Sequence, residues 1–180
     1  CRIMQNIEYI ENIELIRRAA NSDFLTGLPN RRHFFERVAA ATQLAPICQC
    51  LALIDIDHFK KINDTYGHDC GDYTLREIAK LVSSTFSQHI PARFGGEEFC
   101  VFMPNIGLQT AVKIFDDFRQ ALADIEFKFE GKVFHCAVSI GVTALEHGGV
   151  NGMLRKADEY LYQAKNTGRN RVEHDPIRAS

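Results

Sequence analysis

The chain has 180 residues, of which 46% are hydrophobic and 24% are charged, and its formal net charge is -2. This length and composition predict one well-packed domain, because two domains of ordinary size would need a longer chain. The basic residues are scattered along the sequence, so we expect no nucleic-acid polymer as a partner. The six cysteines are too sparse for a disulfide scaffold and are not spaced as paired zinc ligands, and we interpret them as reduced thiols.

The sequence carries no signal for membrane insertion. No stretch approaches the roughly 18 consecutive apolar residues that span a membrane, and no basic segment followed by an apolar run marks the N-terminus. We therefore expect a cytoplasmic domain without membrane contact of its own. The sequence begins at Cys1 and enters a helical pattern directly, which suggests a piece of a longer parent protein that could itself be membrane-attached.

The first predicted element is a helix with a narrow apolar stripe, built from isoleucines three or four residues apart: Ile3, Ile7, Ile10, Ile13 and Ile16. Two interpretations of this stripe stay open. Either it pairs in parallel with a second copy, or it packs on its own domain. Turn-forming residues follow, and we place the domain boundary near Asn21. Residues 1–20 are thus interpreted as a helical linker from an absent upstream sensor or regulatory region.

Further helical patterns follow this boundary. Residues 31–41 predict a second helix, with Asn30 as its N-cap. Apolar residues at helical spacing then predict three more helices, around residues 75–86, 108–122 and 150–164. Gly168 closes the last of these, because a glycine just beyond a helix tolerates the left-handed conformation that ends it.

The strand patterns lie between these helices. An apolar run over residues 48–56 predicts a central strand that is buried on both faces. Two hairpins are expected, one with Gly95-Gly96 between its strands and one with Glu130-Gly131 between residues 126–129 and 133–143. The sequence therefore predicts an α/β (α+β) domain in which helices cover an at least partly antiparallel sheet.

Acidic residues gather at the predicted strand ends. Asp55 and Asp57 come at the end of the central strand, and Glu97-Glu98 follow the hairpin glycines. Carboxylates on neighbouring strand ends can share a divalent cation, and Mg²⁺ prefers hard oxygen ligands together with phosphate oxygens. On this pattern alone, solvated turn acids are the better interpretation, because acids at strand ends are common.

The acids at the strand ends belong to a set of five sequence segments that we interpret together. They are residues 23–31 (DFLTGLPNR), 55–64 (DIDHFKKIND), 67–72 (GHDCGD), 93–99 (RFGGEEF) and 164–170 (AKNTGRN). Together, in this order and spacing, they closely resemble the signatures of the GGDEF family of diguanylate cyclases. The resemblance implies a fold like the nucleotidyl cyclase and polymerase palm, with a five-stranded mixed, largely antiparallel sheet surrounded by helices. It assigns residues 21–174 to that domain and leaves 175–180 as a C-terminal tail.

The resemblance also implies a metal site. Asp55, Glu97 and the main-chain carbonyl of Ile56 would bind Mg²⁺, with Mn²⁺ as an alternative, and Glu98 would contribute to the same ions. Glu97 and Glu98 are the candidate catalytic acids. Glu97 stands where the family name has an aspartate, a variant that is also found among active members.

The nucleotide site is implied in the same way. Asn63, Asp72 and His68 would contact the guanine side of GTP, and the alternatives are a helix-terminal Asn, an N-cap Asp and a loop-ordering His. Cations and backbone amides would face the triphosphate, and Gly95 and Gly96 would leave space for the nucleotide. The candidates on the phosphate side are Lys60, the amides around His58 and Phe59, and the late residues Lys165 and Arg169. For the last two, complementing the helix dipole is an alternative role.

The implied reaction joins two GTP molecules into cyclic di-GMP with release of two pyrophosphates. It requires a homodimer, because the product is two-fold symmetric and each domain would hold one GTP. The alternative is a non-catalytic module that binds GTP or cyclic di-GMP and relays a signal. Many family members carry an RxxD inhibitory site before the hairpin, and here Phe86 and His89 occupy those two positions, so we expect no product inhibition through it.

Overall fold

The computed structural model describes residues 2–145 and 148–177, with side chains from residue 4 onward. The helices are α1 (Arg2–Asn21), α2 (Arg31–Gln43), α3 (Phe59–Tyr66), α4 (His68–Thr85), α5 (Leu108–Ala123) and α6 (Gly149–Asn166). The strands are β1 (Gln49–Ile56), β2 (Ile90–Gly95), β3 (Glu98–Pro104), β4 (Phe127–Phe129), β5 (Lys132–Phe134), β6 (Val138–Ala144) and β7 (Val172–His174).

A five-stranded mixed sheet forms the centre of the domain. Its strand order is β2-β3-β1-β6-β7, and all neighbouring strands are antiparallel except β6 and β7, which are parallel. Every residue of β1 is buried, as its continuous apolar sequence predicts for a central strand covered on both faces. The predicted palm-like α+β architecture with a largely antiparallel sheet is confirmed.

Side-chain alternation along β1 divides the core between two helical layers. Ile54 and Ile56 face the layer of α4 and α5, where Phe86 stacks on Phe115 with ring centroids 4.9 Å apart. Leu53 faces the layer of α2 and α6. Because side chains alternate along a strand, Asp55 is directed to the same face as Leu53, towards α6. This alternation brings the acid of β1 within reach of side chains on α6.

The helix predictions are largely confirmed. Asn30 caps α2, since its side-chain Oδ1 accepts a hydrogen bond from the His33 N–H at 3.0 Å. On α1, Ile7 is 47% exposed and Ile10 is 57% exposed, so this part of the stripe does not pack on its own domain. The side chain of Ile3 lies outside the described residues. No helix in the described ranges is long and apolar enough to cross a membrane.

The predicted strand over residues 133–143 is wrong. It consists of two strands, β5 and β6, separated by residues 135–137. β5 pairs with β4 in a separate two-stranded sheet that turns through Glu130-Gly131, whereas β6 joins the main sheet beside β1. The apolar run concealed this break, because Cys136 is buried although it lies in neither strand.

Candidate active site

The predicted acids converge where β1 ends beside the β2–β3 hairpin. Asp55 and Glu98 are directly opposite each other in the antiparallel β1–β3 ladder. Glu97 precedes β3, and its backbone carbonyl accepts a hydrogen bond from the Ile56 N–H at 3.3 Å. The antiparallel register therefore places Asp55, Ile56 and both glutamates at one edge of the sheet.

The hairpin turn lies one residue later than the sequence suggested. Gly95 still pairs with Glu98, so the two turn residues are Gly96 and Glu97, and a β-bulge separates Arg93 from Gly95. Gly95 and Gly96 have φ values of 129° and 52°, and a Cβ at either position would meet no atom of the described residues within 4 Å. Glycine suits this turn because its backbone adopts positive φ without steric cost. The space above both residues is open.

The electrostatics at this edge centre on Asp55. Its carboxylate Oδ1 lies 3.0 Å from the Lys165 Nζ of α6. Burial raises the pKa of Asp55 to about 6, and the charges of Glu97 and Asp57 act in the same direction, whereas the Lys165 ammonium opposes them. The pKa of Glu98 is also raised, first by burial and then by the Asp55 charge. Negative charge at this edge is thus unfavourable without a further cation.

A cavity of about 180 Å³ opens beside these acids. It brings together most of the predicted metal and phosphate residues, and also Asp57. Its lining consists of Asp55, Ile56, Asp57, His58, Phe59, Lys60, Glu97, Lys165 and Arg169. His58 has a left-handed backbone (φ 55°) and precedes α3, so the N-terminal turn of α3 borders the cavity. Free N–H groups at a helix N-terminus favour anions, and Lys60, Lys165 and Arg169 add positive charge.

The residues predicted for the guanine lie apart from this lining. Asn63 is on α3 and Asp72 is on α4, whereas His68 is the first residue of α4 and is exposed. The N-cap alternative for Asp72 is wrong, because Gly67 occupies that position. The packing role of Gly71 was not predicted from the sequence, and any Cβ at this position would collide with the Asn63 side-chain amide. Gly71 therefore permits the close approach of α3 and α4 that holds Asn63.

Arg93 has a structural role that was not predicted from the sequence. Its guanidinium donates to the Gly96 carbonyl through Nε at 3.2 Å and Nη2 at 2.7 Å, and its Nη1 lies 2.9 Å from the Asp23 carboxylate. Burial alone would raise the pKa of Asp23, but hydrogen bonds from Thr26 and Arg93 outweigh it and lower that pKa. This pair ties the loop after α1 to the turn that carries Glu97.

Phe86 and His89, the residues at the RxxD positions, are buried and half-buried in the domain. Phe86 is fully buried, and burial lowers the pKa of the half-buried His89. Neither side chain supplies a guanidinium or a carboxylate at the positions of the RxxD pattern.

The donor set at the sheet edge suits a hard cation that also binds phosphate. Within the described residues, no group of three or more His, Cys, Asp or Glu side chains is gathered closely enough to hold a metal alone. Asp55, Glu97 and the Ile56 carbonyl offer oxygen atoms only, and Mg²⁺ commonly combines one or two carboxylates with phosphate oxygens and water. The residues present therefore fit a magnesium ion that shares its coordination shell with a nucleotide.

Known sequences place the chain in a family. A sequence profile described as "Diguanylate cyclase, GGDEF domain" matches residues 20–171. The chain is 40% identical over 169 residues to the response regulator PleD of Caulobacter vibrioides, covering 89% of this chain and 37% of PleD. It is 39% identical to a diguanylate cyclase of Vibrio cholerae, covering 91% of this chain and 52% of that protein. The chain thus spans only about a third to a half of the length of these relatives.

Solved structures agree with this assignment. The coiled coil and GGDEF domain of DgcB from Caulobacter crescentus, in complex with c-di-GMP, superimposes with a TM-score of 0.88 at 30% identity, covering 97% of this chain and 96% of that one. The active GGEEF domain of a diguanylate cyclase from Vibrio cholerae superimposes with a TM-score of 0.73 at 36% identity, covering 83% and 98%. The chain therefore belongs to the GGDEF domain family.

Proposed function

We propose that the chain is a diguanylate cyclase domain, which condenses two GTP molecules into cyclic di-GMP and two pyrophosphates. The observation that carries this proposal is the cavity in which Asp55 and Glu97 face Lys60, Lys165 and Arg169. Carboxylates for a divalent ion and cations for a polyphosphate are combined there in one small volume. The proposal also rests on membership of the GGDEF family.

The metal would be Mg²⁺, with Mn²⁺ as an alternative, held by Asp55, Glu97 and the Ile56 carbonyl, with Glu98 close by. Bound there, it would stabilise negative charge on the α-phosphate and on the leaving pyrophosphate. The raised pKa of Asp55 supports this role, because a buried carboxylate beside other acids gains most from a nearby divalent cation.

The triphosphate would lie along the cavity. The backbone amides of His58 and Phe59 at the start of α3 would donate to phosphate oxygens, and Lys60, Lys165 and Arg169 would neutralise their charge. Lys165 also lies in the last turn of α6, where a cation complements the helix dipole. The two roles of Lys165 are compatible.

The guanine would lie above Gly95 and Gly96, towards α3 and α4. There Asp72 would accept from the guanine N1 and N2 hydrogens, Asn63 would contact the purine edge, and His68 would approach from the start of α4. The open space above both glycines and the close packing of Gly71 on Asn63 support this placement.

Turnover requires two domains. The 3′-hydroxyl of the GTP in one domain would attack the α-phosphate of the GTP in the other, forming the new P–O bond as the bond to pyrophosphate breaks. Glu97 or Glu98 would accept the hydroxyl proton. Because each domain supplies one nucleotide, a homodimer is the smallest active unit.

Control would come from the rest of the parent protein, as an upstream sensor region before α1. The similarity to PleD, a response regulator, and to SiaD, a diguanylate cyclase solved in complex with its activator SiaC, supports regulation by other domains or proteins.

The second candidate is a binding module that holds GTP or cyclic di-GMP without turnover. The retained Gly95-Gly96-Glu97-Glu98-Phe99 sequence argues against it, because the Vibrio cholerae GGEEF domain with that signature is described as active. Incubating the purified chain with GTP and Mg²⁺ and separating the nucleotides by chromatography distinguishes the two. We expect cyclic di-GMP to accumulate, whereas recovery of unchanged GTP would favour the binding module.

A further inference from the structure

The turn after α6 has an unusual backbone. Gly168, Arg169 and Asn170 have φ values of 127°, 60° and 45° in succession. Positive φ is sterically unfavourable for residues other than glycine, so Arg169 and Asn170 need surrounding contacts to remain in this conformation. Arg169 lines the cavity of the candidate active site. The strained turn is what directs its side chain there.

The contact that holds this turn comes from Asp57. Its Oδ2 accepts a hydrogen bond from the Asn170 backbone N–H at 2.9 Å, and its Oδ1 accepts one from the Ser139 hydroxyl at 2.6 Å. The Asp57 N–H in turn donates to the Ala137 carbonyl at 2.8 Å. The residue is only 7% exposed, and hydrogen bonds to a buried carboxylate are stronger than those between neutral groups. Asp57 therefore links the end of β1 to β6 and to the strained turn.

Other contacts support the turn from different sides. The Arg119 Nη1 of α5 donates to the Asn170 side-chain Oδ1 at 2.9 Å, and the Arg169 N–H donates to the Ala164 carbonyl at 2.9 Å. Among the described residues, no hydrogen bond or ion pair engages the Arg169 guanidinium itself. Its backbone is held in place while its charged group remains available for a ligand.

We propose that Asp57 is a positioning residue, which fixes the Asn170 amide and thereby directs the Arg169 guanidinium at the triphosphate. Asp57 is one of the acids at the predicted strand ends, but the family resemblance did not include it among the metal ligands, and both of its oxygens accept internal hydrogen bonds. Its contribution to the site is thus geometric and acts through Arg169. The inference rests on the proposed function, because the triphosphate is the ligand that Arg169 would meet.

The test measures binding to the full chain by calorimetry with Mg²⁺ and 3′-deoxy-GTP, which lacks the attacking hydroxyl, and with 3′-deoxy-GMP, which lacks the distal phosphates. Asp57→Ala removes the acceptor for the Asn170 amide, so we expect it to weaken triphosphate binding about tenfold, which is also the effect expected of Arg169→Ala. Binding of the monophosphate should change by less than about twofold. Combining both substitutions should add little, because they remove the same interaction.

Two matched variants separate this role from a general loss of structure. Asp57→Asn keeps an oxygen for the Asn170 amide, while its NH₂ can donate to the Ser139 hydroxyl, so triphosphate affinity should be retained. Ser139→Ala removes only the other partner of Asp57 and should also bind normally. If Asp57→Ala does not fold, hydrogen exchange of the Asn170 backbone amide in the unmodified chain tests the bond to Asp57 directly, and we expect this exchange to be slow.

The outcomes are distinct. If the unmodified chain does not bind 3′-deoxy-GTP, the proposed function fails and this inference fails with it. If Arg169→Ala weakens triphosphate binding but Asp57→Ala does not, only the role of Asp57 is overturned. Equal weakening of monophosphate and triphosphate binding by Asp57→Ala, additive effects of the two substitutions, or rapid exchange of the Asn170 amide would each overturn it as well.

Discussion

The Lys165 ammonium lies 3.0 Å from the Asp55 carboxylate, and the two charges line the same cavity. The pair joins the centre of the sheet to the last turn of α6. Burial nevertheless raises the pKa of Asp55 to about 6, so this single cation does not offset the loss of hydration and the neighbouring acids. We expect a divalent ion to supply the missing positive charge and to leave Lys165 free for phosphate.

Replacing Asp55 by Asn should therefore stabilise the domain at neutral pH. Between about pH 4 and 6 the folded domain holds a proton on Asp55 that the unfolded chain releases, so stability falls as pH rises through this window. Asn removes this penalty. We expect Asp55→Asn to raise the free energy of unfolding at pH 7.5 by roughly 1–3 kcal/mol, since one pKa unit corresponds to about 1.4 kcal/mol and the net rise in the pKa of Asp55 already includes the opposing effect of Lys165.

Urea unfolding across this pH range, with the metal chelated, provides the measurement. The difference between Asp55→Asn and the parent should shrink as the pH approaches 4, where the parent carboxyl is protonated in both states. A difference that does not depend on pH would contradict the electrostatic explanation.

Replacing Glu97 by Ala should abolish turnover while the fold persists. Glu97 lies in a two-residue turn at a polar edge, so we expect a fall in cyclic di-GMP formation of about a hundredfold or more with little change in thermal stability. Glu130→Ala is the matched control, because Glu130 also lies in a hairpin turn but belongs to the separate β4–β5 sheet. Near-normal turnover by Glu97→Ala would remove this residue from the mechanism.

Selectivity for guanine should depend on Asn63 and Asp72. A site built to hydrogen-bond a particular purine edge rejects analogues that leave its groups unpaired, so we expect ATP to be used roughly a hundredfold less efficiently than GTP. Asp72→Ala should weaken GTP binding more than metal binding, whereas Glu77→Ala, further along α4, should affect neither. Comparable kcat/KM values for ATP and GTP in the unmodified chain would refute this assignment.

Product inhibition through the RxxD position should be absent. Phe86 is fully buried and stacks on Phe115, so it cannot present a charged group to a product phosphate. Initial rates measured with added cyclic di-GMP should show no inhibition that depends on His89. Tight product binding that disappears in His89→Ala would show that this prediction is wrong.

The exposed isoleucines of α1 lead to a prediction about assembly. If Ile7 and Ile10 pair in parallel with a second copy, deleting residues 1–20 should leave GTP binding unchanged and reduce cyclisation at low protein concentration. A strong parallel zipper fused in place of α1 should restore activity. Equal activity of the truncated and full chains across a dilution series would make α1 a simple tether.

Much of this architecture could be predicted from local patterns. The continuous apolar run of β1 marked a central strand, and the spacing of apolar residues marked α4, α5 and α6. The strand break at residues 135–137 could not be predicted, because it depends on β5 pairing with β4 while β6 pairs with β1. The eight-residue α3 and the three-residue β7 were missed for a related reason, since elements this short carry little periodic signal.

The residues of the candidate site were likewise predictable only in part. Family signatures indicated Asp55, Glu97 and Lys165, and the structure gathers these residues around one cavity. The internal roles of Asp57 and Arg93 were not predictable, because each depends on partners more than 60 positions away in the chain, such as Asn170 for Asp57 and Asp23 for Arg93. The sequence alone does not reveal whether a charged residue in a motif contacts a ligand or other residues of its own fold.

The ratio of pyrophosphate to cyclic di-GMP, measured with GTP and Mg²⁺ over a range of chain concentrations, tests the central claim most directly. A two-domain cyclase should release two pyrophosphates per cyclic di-GMP, and its rate per domain should rise with concentration until dimers are saturated. Both products should vanish when the metal is chelated. Two results would contradict the account. One is release of pyrophosphate without cyclic di-GMP, and the other is binding of GTP with no turnover at any chain concentration.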